Sequence, residues 1–548
     1  MAINSVNKGN YKQNGYHTKG IKFENEQACM KNFEFGIDHL TIGRVLAIAD
    51  GKLQAILSGE AVKKINKSHQ HVQEIVKSGE SVYGINTGFG ALANQKISEE
   101  DTRLLQYKIL QSHSVGVGNP IPVEIARLML LTKVHALAQG YSGVQLSTIE
   151  RILWHVENDV IPIVPEKGSV GASGDLAPLA HLFLPLIGLG EVVHKGTSQK
   201  AQEVLNKFNL SPIQLGPKEG LALINGTQFI LAYAIKAVQR LHNCLEAADI
   251  IGAMSLEALT GTQAPFEERL HKLRPFKGNR LVAQRLRLLL QGSEIMQSHI
   301  DCGRVQDPYS LRCMPQVHGA SRTAWLHLKD LTEIELNSVT DNPIVFSEND
   351  TISGGNFHGQ PLALPLDYAC FAAAEIGNIS DRRCYLLLEG KWGLPMLLMK
   401  KVGLNSGFMI PQYTTAALVT ENKTLCFPAS ADSIPTSLGQ EDHVSMGSIS
   451  GRKLVQVIEN LEYILAIELL TACQAIEFRR PFKSSEPLEF AHHFVRDAVS
   501  FAEEDRVFAN DINKVKDMIA DFSFVEKVNE FALSKGIDLN NNFEGFKI

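Results

Sequence analysis

Ala172-Ser173-Gly174 stands at the centre of Gly168–Leu182, a stretch that reads GSVGASGDLAPLAHL. Its three small residues follow Gly171 and precede Asp175. Small side chains let a backbone fold tightly on itself and approach another group closely. Asp175 is placed to N-cap a helix starting at Leu176, with Pro178 in the first turn, where a missing N–H does no harm. A serine on such a turn faces the positive backbone dipoles of a helix N-terminus and is a candidate reactive group. The spacing is not the hydrolase elbow G-x-S-x-G, because Asp175 holds the place of the last glycine. Taken alone, a Gly/Ser-rich turn before a helix is ordinarily just a turn.

Two other places carry chemistry. Tyr83 lies in the Gly-rich loop Ser81–Gln95, SVYGINTGFGALANQ. In isolation it reads as a loop aromatic, and Gly88-Phe89-Gly90 lacks the strand and third glycine of a nucleotide loop. Arg312 lies in RVQDPYSLRC beside Gln306 and Tyr309. An arginine fork is the natural bidentate partner of an α-carboxylate.

The elements that must position these residues read as mainly α. Helical patterning covers Thr41 to about Lys77, with Ser58 starting a second helix, then 99–113, 121–139 and 146–158, with a β-like patch at Glu191–His194. Beyond Lys218 the helices lengthen: Gly226–Thr260 is rich in Ala and Leu, and others are predicted near 319–338, 362–391, 409–425 and 444–478. In the last, Leu454, Ile458, Leu461, Leu465, Leu469, Ala472 and Ile476 form one apolar stripe, while Tyr463 and Ile467 lie opposite, so both faces are expected to be covered. Ala372, Ala373 and Ala374 permit close packing. The expected architecture is a long central helical bundle. Its divisions are an N-terminal extension at 1–38, a helical and loop region bearing the tripeptide at 39–217, the bundle at 218–480 and a C-terminal helical region at 481–548.

Composition narrows the function class. The 548 residues are 44% apolar and carry 53 basic against 59 acidic side chains, a net charge of −6. With no basic tract, nucleic acid is not an expected partner. The eight cysteines, at 29, 244, 302, 313, 370, 384, 426 and 473, show no C-x-x-C or zinc-ligand spacing. They read as reduced thiols, with no metal site expected. The N-terminus has no apolar signal core, and uncharged stretches such as Val402–Thr420 are too polar to span a membrane. A soluble cytoplasmic protein is expected.

The extended stretch around Ala172-Ser173-Gly174 resembles the signature of the aromatic amino acid ammonia-lyases, which act on histidine, phenylalanine or tyrosine. In that family the tripeptide cyclises by itself into methylidene-imidazolone (MIO), an electrophile that no ordinary side chain provides; no external cofactor is then implied. The amide nitrogen of Gly174 would attack the carbonyl of Ala172, and loss of two waters would turn Ser173 into an exocyclic methylene. The resemblance covers roughly residues 40 to 510 and implies a long-helix bundle of fumarase/aspartase-like architecture, although the G-S-S-x-M-P loop of fumarase-like lyases is absent. It gives Tyr83 the role of β-proton acceptor, which requires a lowered phenol pKa. It places Asn225 of LINGTQ at the MIO and the substrate carboxylate, Tyr309 beside Asn225 at the MIO and the amine, Gln306 among the substrate-binding residues, Arg312 on the carboxylate, and Phe357 of SGGNFHGQP in the pocket. His358 beside it reads as structural.

Substrate choice rests on two places. Ser112-His113 matches the histidine-selective pattern, shared by some tyrosine-selective relatives. Gly439-Gln440-Glu441-Asp442-His443 carries a glutamate that marks the histidine-selective members. Glu441 can bond an imidazole N–H, whereas a carboxylate desolvated against a phenyl ring has no partner. Histidine is therefore the expected substrate, with Glu441 also a competing base and Gln440 in the pocket. Cys426-Phe427-Pro428 and Leu438-Gly439 depart from the family's usual His-Pro and Ala-Asn. The resemblance further implies a homotetramer with active sites shared between subunits. The alternatives are a tyrosine lyase or aminomutase of the same family, and a helical scaffold without catalysis.

Overall fold

Apolar residues at helical spacing build the interior of this chain, and the longest runs of them make its longest helices. The computed structural model describes residues 32–79, 81–88, 99–300, 303–540 and 546. Most of the expected N-terminal extension, the second half of the Gly-rich loop including Phe89 and Gly90, and nearly all of the last eight residues lie outside the described residues.

The N-terminal part packs α1 (Glu99–His113) on the short α3 (Leu176–Phe183), while α2 (Val123–Ala138) lies against the helices Leu146–Glu157 and Gln228–Ala258. Ser58 caps the helix Gly59–Ser78, its hydroxyl accepting from Ala61 N at 3.3 Å. The β-like patch is a real strand at Glu191–His194, the centre of a three-stranded antiparallel sheet with Val160–Pro162 and Thr197–Lys200.

Four long helices form the bundle: α4 (Gln228–Ala258), then α6 (Met314–Leu336) after the single turn α5 (Tyr309–Arg312), α7 (Gln360–Leu388) and α8 (Gly447–Glu477). At 1.5 Å per residue, the 31 residues of α4 run about 46 Å. The seven stripe residues of α8 are all buried, and Ile467 on its other side is buried too, because α4, α7 and the helix Phe508–Ala520 pack around it. Ala372 and Ala373 are buried as α7 lies against α6 and α8. Helix α6 begins five residues before the predicted start, because Met314 and Pro315 complete its first turn. One main apolar core draws on described residues from Phe33 to Leu539, with three smaller apolar clusters beside it.

Some buried polar groups in this core are tightly paired. Glu468 of α8 accepts from Arg383 at 2.5 and 2.9 Å, from Ser255 at 2.6 Å and from Ser380 at 2.5 Å, with both charged residues fully buried. In the N-terminal part, His155 donates to Val160 O at 2.9 Å, and burial pushes its ring down from 6.5 to about 4. The unfolded chain therefore binds a proton at His155 that the folded chain refuses between those two pH values. Stability falls as pH drops through this window, by up to about 3 kcal/mol for this group. We expect the urea midpoint to fall between about pH 7 and about pH 5, and His155→Gln to flatten that loss; an equally steep loss in the variant would contradict this.

Candidate active site

The tripeptide turn is pressed against a second backbone segment. Gly174 sits at φ +77°, and a Cβ there would lie 2.1 Å from the carbonyl oxygen of Gly226. Only glycine fits such an approach. The two glycines form an isolated parallel bridge, and Asp175 N donates to Gly226 O at 2.7 Å. On the other side, a Cβ at Gly171 would lie 2.2 Å from Ser445 Oγ, just before α8.

Asp175 does not cap its own helix. Its side chain makes no capping bond to α3; Oδ2 accepts from Ile230 N at 3.0 Å and Oδ1 from Ser169 Oγ at 3.2 Å. Ile230 lies in the first turn of α4, whose free N–H groups are a stronger claim on a buried carboxylate than the shorter α3. Burial raises the Asp175 carboxyl to about 7.

Asn225, at the end of the helix Glu219–Ile224, donates through Nδ2 to Ser173 O at 2.8 Å. Its Oδ1 is buried and without a hydrogen-bond partner among the described residues. Its backbone oxygen accepts from Lys133 Nζ of α2 at 2.6 Å. Ser173 Oγ donates to Glu441 Oε1 at 2.6 Å, an arrangement in which the carboxylate can draw the hydroxyl proton. Glu441 closes a tight loop with Thr436, which donates through N to Glu441 O at 2.8 Å and through Oγ1 to Oε2 at 3.2 Å. Within it Ser437 and Leu438 adopt left-handed backbone at φ +52° and +56°, a conformation costing roughly 1–2 kcal/mol per residue. Strain of this kind persists where surrounding bonds over-determine it, as the Thr436–Glu441 bridge does here.

These groups open onto a cavity of about 920 Å³. Tyr83, His113, Ala172, Ser173, Asn225, Phe357, Gln440 and Glu441 all line it. His113, at the end of α1, is 3.0 Å from Ser112 Oγ, and burial lowers its pKa, favouring the neutral ring. His358 also faces the cavity, with Nε2 3.3 Å from His443 O.

Gln306, Tyr309 and Arg312 do not join them within one chain. Arg312 stacks on Tyr309 at 4.4 Å, donates to Asp307 O at 3.1 Å and reaches Gln306 Oε1 at 3.3 Å. Asp307 in turn accepts from Thr262 N at 2.7 Å, just past the C-terminus of α4. Asn225 precedes the N-terminus of that helix, so most of its length lies between the two groups. Tyr309 is 71% exposed. Sequence reasoning missed Lys133, whose signal was a lone lysine inside the otherwise apolar LMLLTKVHALA.

The chain is similar over most of its length to known proteins of one family. The sequence model of the family "aromatic amino acid lyase" matches residues 40–497. The chain is 45% identical over 478 residues to the histidine ammonia-lyase of Natranaerobius thermophilus, covering 87% of this chain and 94% of that protein. It is 42% identical to the solved histidine ammonia-lyase of Trypanosoma cruzi, with a TM-score of 0.84 over 91% of this chain and 95% of that one. The tyrosine aminomutase of Streptomyces globisporus superposes with a TM-score of 0.87 at 33% identity, covering 91% and 99%.

Because Gly174 has no room for a Cβ, Gly174→Ala is expected to open the turn and release the Asp175 N–H from Gly226 O. Amide hydrogen exchange at Asp175 should then quicken by at least about tenfold; unchanged protection would show that the contact does not hold the turn.

Proposed function

The chain belongs to the aromatic amino acid lyase family, and from that premise we propose that it is a histidine ammonia-lyase, releasing ammonia from L-histidine to give trans-urocanate. The observation that carries the substrate is Glu441 at 2.6 Å from Ser173, with His113 in the same cavity. A carboxylate and a neutral imidazole beside the reactive tripeptide suit a substrate ring that both donates and accepts hydrogen bonds.

The family depends on MIO, and Ala172-Ser173-Gly174 fits it: no Cβ can enter at Gly174, Asn225 Nδ2 already holds Ser173 O, and the hydroxyl to be lost is bonded to Glu441. When formed, the group supplies an electrophile that makes ammonia a better leaving group. No external cofactor is part of the reading.

The remaining work belongs to ordinary side chains. Tyr83 accepts the β-proton, with Glu441 the competing acceptor. Glu441 and His113 hold the imidazole, with Gln440 and Phe357 shaping the wall around it. Arg312 binds the carboxylate bidentately, and Gln306 and Tyr309 assist at the carboxylate and amine. Since these last three lie towards the far end of α4 and outside the cavity lining, they act at the cavity of another subunit.

We therefore read the protein as a homotetramer with shared sites. Leu364, Tyr368 and Phe371 form an exposed apolar stripe on α7, as expected of a helix face covered by another subunit. No described helix is long and apolar enough to cross a membrane, and the six described cysteines are free thiols, in keeping with a cytoplasmic enzyme.

Ser173→Ala should abolish turnover of L-histidine while the fold survives; near-full activity would refute the assignment. Arg312→Met should lose about 10²-fold in kcat/KM. If sites are shared, co-expressing Ser173→Ala and Arg312→Met chains should restore part of the activity, because some mixed sites combine an intact tripeptide with an intact Arg312. Mixed tetramers no better than the sum of the parents would contradict the sharing.

A further inference from the structure

Lys133 is a costly residue with no place in the chemistry described so far. It sits in α2 among buried Leu130, Leu131, Val134 and Leu137 and is only 1% exposed. Placing an amine there costs several kcal/mol, whereas an unbranched methionine would fill the same volume. Its two hydrogen-bond acceptors are neutral: Asn225 O at 2.6 Å and Gln228 Oε1 at 3.4 Å. Of the neighbouring acids, Asp341 is taken by Lys218 at 2.7 Å, and Asp175 accepts from Ile230 N and Ser169 Oγ. Burial lowers the Lys133 amine to about 7.

What lysine offers that methionine cannot is a donor on the Asn225 carbonyl. Asn225 holds Ser173 O, and the next carbonyl, Gly226 O, holds Asp175 N. Asn225-Gly226 is thus a cradle gripping the tripeptide from both sides of Gly174. Its downstream end is tied by Thr227 to Glu335 at 2.5 Å, by Gln228 to Thr340 at 2.9 Å and by Ile230 to Asp175. At the upstream end, besides the helical bond from Asn225 N to Leu221 O, the tie is Lys133.

We infer that Lys133 is a positioning residue for ring formation: by holding the Asn225 carbonyl it keeps the cradle in the register that presses Gly174 N towards the Ala172 carbonyl. This rests on the functional reading above and extends it to a residue outside the cavity. In the reaction so favoured, the bond formed joins Gly174 N to Ala172 C. One water leaves with the Ala172 oxygen and the hydrogens of Gly174 N and Ser173 N. The second leaves with the Ser173 hydroxyl and its Cα hydrogen. No oxidant or reductant is needed.

The test is intact-mass spectrometry of Lys133→Met and Lys133→Gln chains, each checked for folding by thermal melting. Wild-type chains should carry the two-water deficit. In Lys133→Met the cyclised fraction should fall on the order of tenfold, since small misplacements of reacting groups are costly. Lys133→Gln should retain more, because its amide keeps a donor. A packing role predicts the opposite order, since methionine fills the apolar site better. Complete cyclisation in either folded variant, or a larger fraction in Met than in Gln, overturns the inference. If only the Gln variant folds, a reduced fraction supports it. A wild-type chain of full mass would instead overturn the functional reading, and this inference with it.

Discussion

The contact between Gly174 and the carbonyl of Gly226 constrains everything around it. Two backbone segments can meet this closely only where neither carries a side chain, and a Cβ at 2.1 Å from an oxygen is not tolerated. The bridge brings the end of the helix Glu219–Ile224 and the start of α4 against the tripeptide turn. It therefore makes the long bundle the anvil on which a short loop is compressed. A hydrogen bond inside so dry a site is stronger than at the surface, and each unpaired group there is correspondingly costly. That is why the cradle is surrounded by Lys133, Asp175, Gln228, Thr340 and Glu335 rather than by aliphatic side chains alone.

From that contact the rest of the cavity follows outward. Ser445, just ahead of α8, closes on Gly171, and the loop before it delivers Glu441 to the serine hydroxyl. The strained turn at Ser437-Leu438 is held by the paired backbones of Thr436 and Glu441, so the carboxylate arrives pre-positioned. Helix α1 brings His113 into the same cavity. Arg312 stands outside this cavity, held against Asp307 and Gln306 beyond the far end of α4.

Much of this was legible in the sequence because it is local. The stripe of α8 and the cap at Ser58 depend on neighbours within a few residues, and the strand at Glu191–His194 was visible for the same reason. The motif residues Tyr83, His113, Asn225, Phe357 and Glu441 were assigned through resemblance, and the fold gathers them into one cavity. What escaped the reading is non-local. Asp175 has the sequence context of an N-cap, yet its partner is Ile230, fifty-five residues away in the chain. Lys133 looks like a blemish in an apolar helix until Asn225, ninety-two residues on, is placed beside it. Arg312 sits in its expected motif, but no local pattern reveals that it stands outside the cavity it is expected to serve.

The most direct test of the central claim is ultraviolet absorbance of the purified protein incubated separately with L-histidine, L-tyrosine and L-phenylalanine. Growth of the urocanate band with histidine alone is the result this account predicts. Cinnamate-type absorbance from tyrosine or phenylalanine, with histidine silent, would keep the lyase chemistry and contradict the role given to Glu441. Silence with all three would contradict the account as a whole.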